Sequence, residues 1–368
     1  MPRIVDPLVG RRAEVQALDA ALGEARSGFV AVAVAGEPGI GKTRLLAELE
    51  TRAADAGFLV RAAAAAEHER NLPFGVFADA LGLEVGDTPL HGAVRALLEE
   101  QTQPLALVLD DVHWADEASL ELIGWLLRRP PNASLLLAIA VRPQRVPEVL
   151  ERRIDLPELT VEEARKLVGE HADAIYAVAG GNPFYLQLLA RSPQALVRGP
   201  AVRLSGVEVP RATAAAFSRE IAQLSDCARH VLAGAAIAGD PFSLELAAVA
   251  ADVSDWAALE AIEELLRSGL IRRCDGSSRY RFEHPLVRAA VYATALGHWR
   301  PGAHERVARA LKERGAGPLE RAYHVERSAR PGDAEAIAVL RAAGDSVATL
   351  SPATAARLHL AAAALVTG

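Results

Sequence analysis

The sequence predicts an α/β domain, a parallel sheet flanked by helices, followed by a winged-helix domain and the start of an α-helical repeat. Three observations carry that prediction. An apolar run at 29–35 passes through a glycine loop, Gly36-Glu37-Pro38-Gly39-Ile40-Gly41-Lys42-Thr43, into a helical pattern. Two further apolar runs of strand length follow at 105–111 and 135–141. Beyond a stretch rich in proline and glycine, short helical patches and a single hairpin pattern replace the apolar strands.

The first run carries valine at 30, 32 and 34 and reads as a strand buried on both faces. After the loop, Arg44–Glu50 is built from strong helix formers, with leucine at 45, 46 and 49. Strand, glycine loop and helix are the setting of a phosphate-binding loop, and GxxxxGK[ST] matches in full. Glycines let successive backbone N–H groups converge on an anion, and the helix N-terminus adds partial positive charge. Lys42 is placed to reach β- and γ-phosphates, and Thr43 to offer its hydroxyl to Mg²⁺.

Composition narrows the function classes. The 368 residues suffice for two or three domains, and 51% hydrophobic with 24% charged residues is an ordinary globular balance. A net charge of −7 supplies no global basic field for nucleic acid. Cys227 and Cys274 are the only cysteines, which excludes a disulfide scaffold and makes the cytoplasm the simplest setting. The first residues have no apolar signal core, and no run approaches the roughly 18 apolar residues of a membrane span.

In chain order, Leu8-Val9-Gly10-Arg11-Arg12 is a turn before a helix at 13–25. It is either only a turn or, lying just upstream of the phosphate loop, a cover for a nucleotide base. Gly57 ends the next helix, Phe58–Ala63 starts a second strand, and helical patches follow at 74–83 and 91–101. The strand at 105–111 ends in Asp110-Asp111. A buried parallel strand delivers its last side chains to the carboxyl edge where a nucleotide sits. Asp110 is therefore assigned to Mg²⁺ through water, and Asp111 to polarising the attacking water. Asp116 either caps the helix at 117–127 or joins the chemistry, and His113 is either structural or near the γ-phosphate. Arg142 closes the strand at 135–141 and reaches the phosphates if that strand lies beside the acidic one.

Thr160-Val161-Glu162-Glu163 reads as a capping box, and Gly180–Leu186 as a turn between helices with Pro183 near the first turn of the second. Prolines and glycines at 192–211 mark a linker. Helices at 212–224, 226–238, 243–251 and 256–268, then a hairpin pairing 269–273 with 278–282, suggest a winged helix. Arg272, Arg273, Arg279 and Arg281 resemble a DNA-binding wing, but Glu260, Glu263 and Glu264 speak against a recognition helix. Glu283-His284-Pro285-Leu286 leads into a helix to 294. Helices at 303–314, 319–328, 333–350 and 353–366 look like the opening of an α-solenoid within a longer chain. The expected division is a nucleotide-binding domain with a small helical part at 1–195, a linker at 196–211, a winged helix at 212–298 and a helical-repeat arm from 299 to 368.

Taken together, LVGR at 8–11, GEPGIGKT at 36–43, LDDVHWAD at 109–116, Arg142, GNPFYL at 181–186 and FEHPLV at 282–287 occur in the order seen in STAND-class signal-transduction ATPases. These are AAA+-related P-loop switches, and the chain is similar to the N-terminal part of the large ATP-binding regulators of the LuxR family. The likeness covers nearly the whole chain and is best over 8–190. It implies a P-loop NTPase fold that takes ATP or ADP with Mg²⁺, bound around Glu37, Pro38, Gly39, Ile40, Gly41, Lys42, Thr43 and Arg44. It implies Val9, Gly10 and Arg11 near adenine and ribose, Pro183 packed on the base, and Arg142 as a sensor beside the catalytic Lys42 and Asp111. It also implies that His284 touches the ADP β-phosphate and holds a closed state. The switch so implied is closed with ADP and open and self-associating with ATP. An inducer acts on the helical region, and slow hydrolysis resets it. DNA would be reached only through a C-terminal helix-turn-helix absent from this chain, with no membrane involved. Two rivals stand beside this: a small-molecule kinase using the same loop, and an interaction module with a non-hydrolysing ADP site.

Overall fold

The computed structural model describes residues 8–83, 91–191, 202–204, 207–209, 211–274 and 277–366. The N-terminal domain runs α1 (Arg12–Ala25), β1 (Phe29–Ala35), α2 (Lys42–Asp55), β2 (Leu59–Ala64), α3 (Gly75–Leu81), α4 (His91–Glu99), β3 (Leu105–Asp110), α5 (Glu117–Arg128), β4 (Leu135–Val141) and β5 (Arg153–Asp155). The strands form one five-stranded sheet in the order β2-β3-β4-β1-β5. All its pairings are parallel; β1 runs from Phe29 opposite Leu135 to Ala35 opposite Val141. Strand alternation divides the core in two. Val32, Val34, Ala106, Val108 and Leu136 face Leu18 and Leu22 of α1 and Leu45 and Leu49 of α2. Leu105, Leu107, Leu109, Leu137 and Ile139 face Phe77 of α3, Val94 of α4 and Leu122 and Leu126 of α5. Both faces of the sheet are thus covered, which is why its central strands read as unbroken apolar runs.

Two expectations are revised at the edges. The strand expected at 58–63 is β2, which is half-exposed because it is an edge strand. A fifth strand, β5, was not expected. Its three residues read Arg-Ile-Asp, and only Ile154 is buried.

A helical layer follows: α6 (Val161–Val168), α7 (Ala172–Ala179) and α8 (Pro183–Arg191). The expected capping box is present, with Thr160 accepting from the Glu163 N–H while the Glu163 carboxylate accepts from Thr160. Most of the expected linker lies outside the described residues, but within it β6 (Val202–Leu204) and β7 (Val207–Val209) form an antiparallel pair. Next come α9 (Arg211–Ala222), α10 (Asp226–Ala238), α11 (Leu244–Ala251), α12 (Asp255–Ser268), the hairpin β8 (Ile271–Arg273) and β9 (Tyr280–Phe282), and α13 (Pro285–Thr294). Phe242, between α10 and α11, bridges antiparallel to Tyr280 and adds a third segment to the hairpin. One continuous apolar core joins α6–α8 to α9–α13, with Leu186 and Leu189 in the same cluster as Phe217, Leu232 and Leu265.

The chain ends in antiparallel helices α14 (Trp299–Glu313), α15 (Pro318–Ser328), α16 (Ala334–Val347) and α17 (Pro352–Ala364), with Leu340, Ala343 and Leu358 fully buried between them. The first begins four residues before the expected start, with Pro301 in its first turn. Among the described residues, no helix is long and apolar enough to cross a membrane.

Candidate nucleotide site

Parallel strands bring their carboxyl ends to one edge. At that edge β1 opens into the 36–41 loop, β3 ends at Asp110 and β4 ends before Arg142. Because β4 lies between β1 and β3, the condition set for Arg142 is met. Gly39 and Gly41 take φ of 84° and 106°, a region costly for any side chain. A Cβ on Gly39 would lie 2.8 Å from the Asn182 side chain, so the loop also needs glycine there for space. Lys42 is the first residue of α2 and is buried; its ammonium donates to the carbonyls of Gly36 at 2.8 Å and Glu37 at 3.1 Å. An ammonium has three donors, so one remains for the mouth of the loop. Burial lowers the Lys42 pKa, opposed chiefly by Asp111 and Asp110. Thr43 follows on the exposed side of the helix start, and Arg44 pairs with Glu48 at 4.0 Å. Glu37 is exposed, Pro38 is half-buried and Ile40 is buried against the sheet.

The Asp110 carboxylate accepts the Asp111 N–H at 2.7 Å. Asp111 takes φ of 49°, left-handed and uncommon outside glycine. Burial first, then the charge of Asp110, pushes its carboxyl well above the usual range; Lys42 and Arg281 oppose this. The Arg142 guanidinium lies 5.5 Å over the Trp114 ring. His113 Nδ1 is 3.8 Å from Asp111, and its pKa is driven down to about 3 by burial, Arg142 and Lys42. Asp116 is resolved as a cap. One of its oxygens accepts from the N–H groups of Ser119 and Phe74, the other from the Ser119 hydroxyl and Gly75 N–H.

The upstream turn closes on the loop. Arg11 is buried and donates to the Ile40 carbonyl at 3.0 Å. Gly10, at φ 70°, lies under Glu163 so closely that a Cβ would meet its carboxyl carbon at 2.6 Å. Val9 is half-buried on the same turn. Pro183 opens α8, and its neighbour Phe184 stacks on the His284 ring with centroids 3.8 Å apart. His284 caps α13 by accepting the Leu286 N–H, and its pKa falls to about 3 through burial and the charge of Lys42. Arg11 thus touches the loop directly, Phe184 beside Pro183 donates its N–H to the Gly39 carbonyl at 3.3 Å, and Asp110, Asp111, Arg142 and His284 interact with the Lys42 charge.

Sequence reasoning missed Asn182. Buried, it donates to the Pro38 carbonyl at 2.9 Å and accepts from the Phe184 N–H at 3.1 Å, tying the loop to α8. An Asn placed before a helix-opening proline was the available signal. Arg281 and Asp240 were missed as well. Both bear on Asp111 from the second half of the chain, and Arg281 Nε lies 4.0 Å from Asp240.

Two buried nitrogens at this edge, Arg142 Nε and His113 Nδ1, have no hydrogen-bond partner among the described residues. The Arg142 Nε–H is thus a buried donor that an acceptor at this edge would satisfy. One carboxylate and one hydroxyl, Asp110 and Thr43, suit a Mg²⁺ ion held otherwise by phosphate and water, and among the described residues no cluster of His, Cys, Asp and Glu offers a closed metal site.

Residues 7–88 and 82–139 match the family described as the AAA ATPase domain, in agreement with the P-loop α/β fold of that region. Among solved structures it is similar to a signal transduction ATPase with numerous domains (STAND) carrying a tetratricopeptide repeat sensor, from Pyrococcus horikoshii. The TM-score is 0.61 at 18% identity, covering 98% of this chain and 54% of that one. At this identity the likeness is one of fold. An uncharacterised protein of Rhizobium meliloti (strain 1021) is 28% identical over 296 residues, covering 73% of this chain and 29% of that protein. The chain thus spans less than a third of that relative and about half of the archaeal protein.

His68, His113, His284 and His324 are each held at about 3, and His304 at about 2, by burial. In the unfolded chain a histidine titrates near 6.5. Below that pH the unfolded chain binds protons that the folded chain refuses, so stability falls as pH falls. Buried carboxyls with raised pKa, Asp111 and Asp240 among them, work in the opposite direction but offset only part of five histidines. Lowering the pH from 7.5 to 5.5 should cost at least about 2 kcal/mol, read as a melting temperature lower by roughly 5 °C. An unchanged melting curve would contradict this assignment of neutral histidines.

Proposed function

We propose that the chain is an ATP-binding, slowly hydrolysing signalling switch, corresponding to the N-terminal part of a LuxR-family transcriptional regulator in the cytoplasm. In this reading Lys42 and the N–H groups of the 36–43 loop take the β- and γ-phosphates. Val9, Gly10, Arg11 and Pro183 enclose the base and ribose. Arg142 faces charge developing on the γ-phosphate. Mg²⁺ bound by Thr43 and Asp110 would neutralise phosphate charge. Asp111 orients the attacking water and takes its proton. We read residues 212–298, with the Phe242 bridge, as a winged helix, and α14–α17 as the start of a tetratricopeptide-like arm on which an inducer acts. Exchange of ADP for ATP opens the molecule for self-association, and DNA is reached only through a helix-turn-helix outside this chain.

The observation that supports this most is the placement of His284. It comes from the second half of the chain, stacks on Phe184 beside the loop and feels the Lys42 charge. A β-phosphate at Lys42 would therefore meet both halves at once. A ligand shifts such an equilibrium only by binding its two states unequally, and a group from each half supplies that inequality. The test is calorimetric titration with ATP and ADP, alongside phosphate release with and without candidate acceptors. Binding of both, with slow acceptor-independent release, is expected. No uptake of either nucleotide, with none liberated on denaturation, would overturn the reading. Release that depends on an acceptor would make the protein a kinase.

A further inference from the structure

The segment just after β2 is held by every element of the second half that reaches it. On α13, Arg288 pairs with Glu67 at 2.7 Å. From α15, Arg327 approaches the other Glu67 oxygen at 3.8 Å. Arg279, at the foot of β9, lies 3.9 Å from Glu69. Arg357 of α17 donates to the Asn71 side chain. Gly239, at the end of α10, packs so tightly on the His68 ring that a Cβ would sit 2.8 Å from it. Five contacts from five elements thus converge on residues 67–71.

Their chemistry is unequal. Arg288 is largely buried and is fixed from its own side, donating Nε to the Ala236 carbonyl at 3.2 Å and approaching the Tyr323 hydroxyl at 3.4 Å. Tyr323 in turn carries the Arg327 guanidinium 3.7 Å over its ring. The arm and α13 therefore present two arginines already positioned around one tyrosine, and the N-terminal domain supplies the carboxylate. Arg288 is the more buried partner, so losing Glu67 leaves its charge poorly compensated, whereas Arg327 is more open to water. The segment also adjoins the nucleotide edge: Ala64 pairs with Asp110 in the sheet, and the Ala65 N–H donates to the Asp110 carbonyl at 3.0 Å.

We propose that Glu67, gripped by Arg288 and Arg327, is the latch that couples opening of the nucleotide site to release of the helical arm. It releases α13 and the arm together, so a ligand pulling on the arm opens the site without touching the nucleotide. This rests on the reading of the chain as a nucleotide switch, and the experiment separates the two. Compactness is read by small-angle scattering and ADP release by dissociation of a fluorescent ADP analogue, for wild type, Glu67→Gln and the swapped pair Glu67→Arg/Arg288→Glu. Glu67→Gln should enlarge the radius of gyration and speed ADP release about tenfold or more, as loss of a buried partner does. The swap should recover compactness at least in part. A well-folded Glu67→Gln protein as compact as wild type overturns the latch even if ADP binds. If wild type binds no nucleotide, the functional reading fails while scattering still decides the latch. Should the swapped pair not fold, Arg327→Gln replaces it, and unchanged compactness and release in both single variants overturn the proposal.

Discussion

Lys42→Ala will abolish measurable uptake of ATP and ADP. The ammonium is buried, held by the Gly36 and Glu37 carbonyls, and faces Asp110 and Asp111. A charge-assisted hydrogen bond to phosphate contributes about 1.5–3 kcal/mol, and the lysine can serve two phosphates. Its loss also leaves two carboxylates facing the polyphosphate with less countercharge. A fall in affinity of at least about 10³-fold, or some 4 kcal/mol, is expected. Calorimetry on protein with a native circular dichroism spectrum measures it. Folding should survive, because the Glu37 carbonyl belongs to an exposed residue and α2 keeps Leu45, Leu46 and Leu49 in the core, although the buried Gly36 carbonyl loses its donor. Retained affinity within threefold of wild type would mean that phosphates bind elsewhere.

The parts of this site that could be read from residues alone are the parts made locally. The loop from Gly36 to Thr43, the acids closing β3 and the arginine closing β4 are each written in a few consecutive residues, because a buried parallel strand is an apolar run whose next residue falls at the carboxyl edge. β5 escaped notice because three residues with two charges carry too little pattern, and only pairing with β1 at Ala33–Ala35 makes them a strand. Asp116 shows the opposite difficulty: its position suited either capping or chemistry, and only its four donors decide for the cap. Arg281, Asp240 and the contacts of Glu67 were illegible in principle. Their partners are 129 to 260 residues away and meet through the docking of whole elements, for which single residues carry no periodicity. His284 is intermediate. The residues around it carry a resemblance, but its stacking on Phe184 is a tertiary fact.

Asp111→Asn should separate binding from chemistry. The substitution keeps size and shape, and the left-handed backbone at 111 suits asparagine as well as aspartate. Affinity for ATP should hold or rise, because one negative charge beside the phosphates is gone. In the proposed reading, what disappears is the group that accepts a proton from water; Asp110 is committed to the Asp111 N–H and the metal position, and His113, its pKa lowered to about 3 by burial and two cations, is a weak base. Removing a general base costs about 10²–10⁴-fold in rate, so phosphate release should fall by at least about 100-fold while ATP stays bound. The pH profile adds a sharper criterion. Burial and Asp110 raise the Asp111 pKa, so wild-type turnover should decline on the acid side of neutrality as the base is protonated, and the phosphates add to that repulsion. The asparagine variant has no such group, and its residual rate should be flat over the same range. A variant that hydrolyses at the wild-type rate, or that keeps the wild-type acid limb, would move the role of base to another residue.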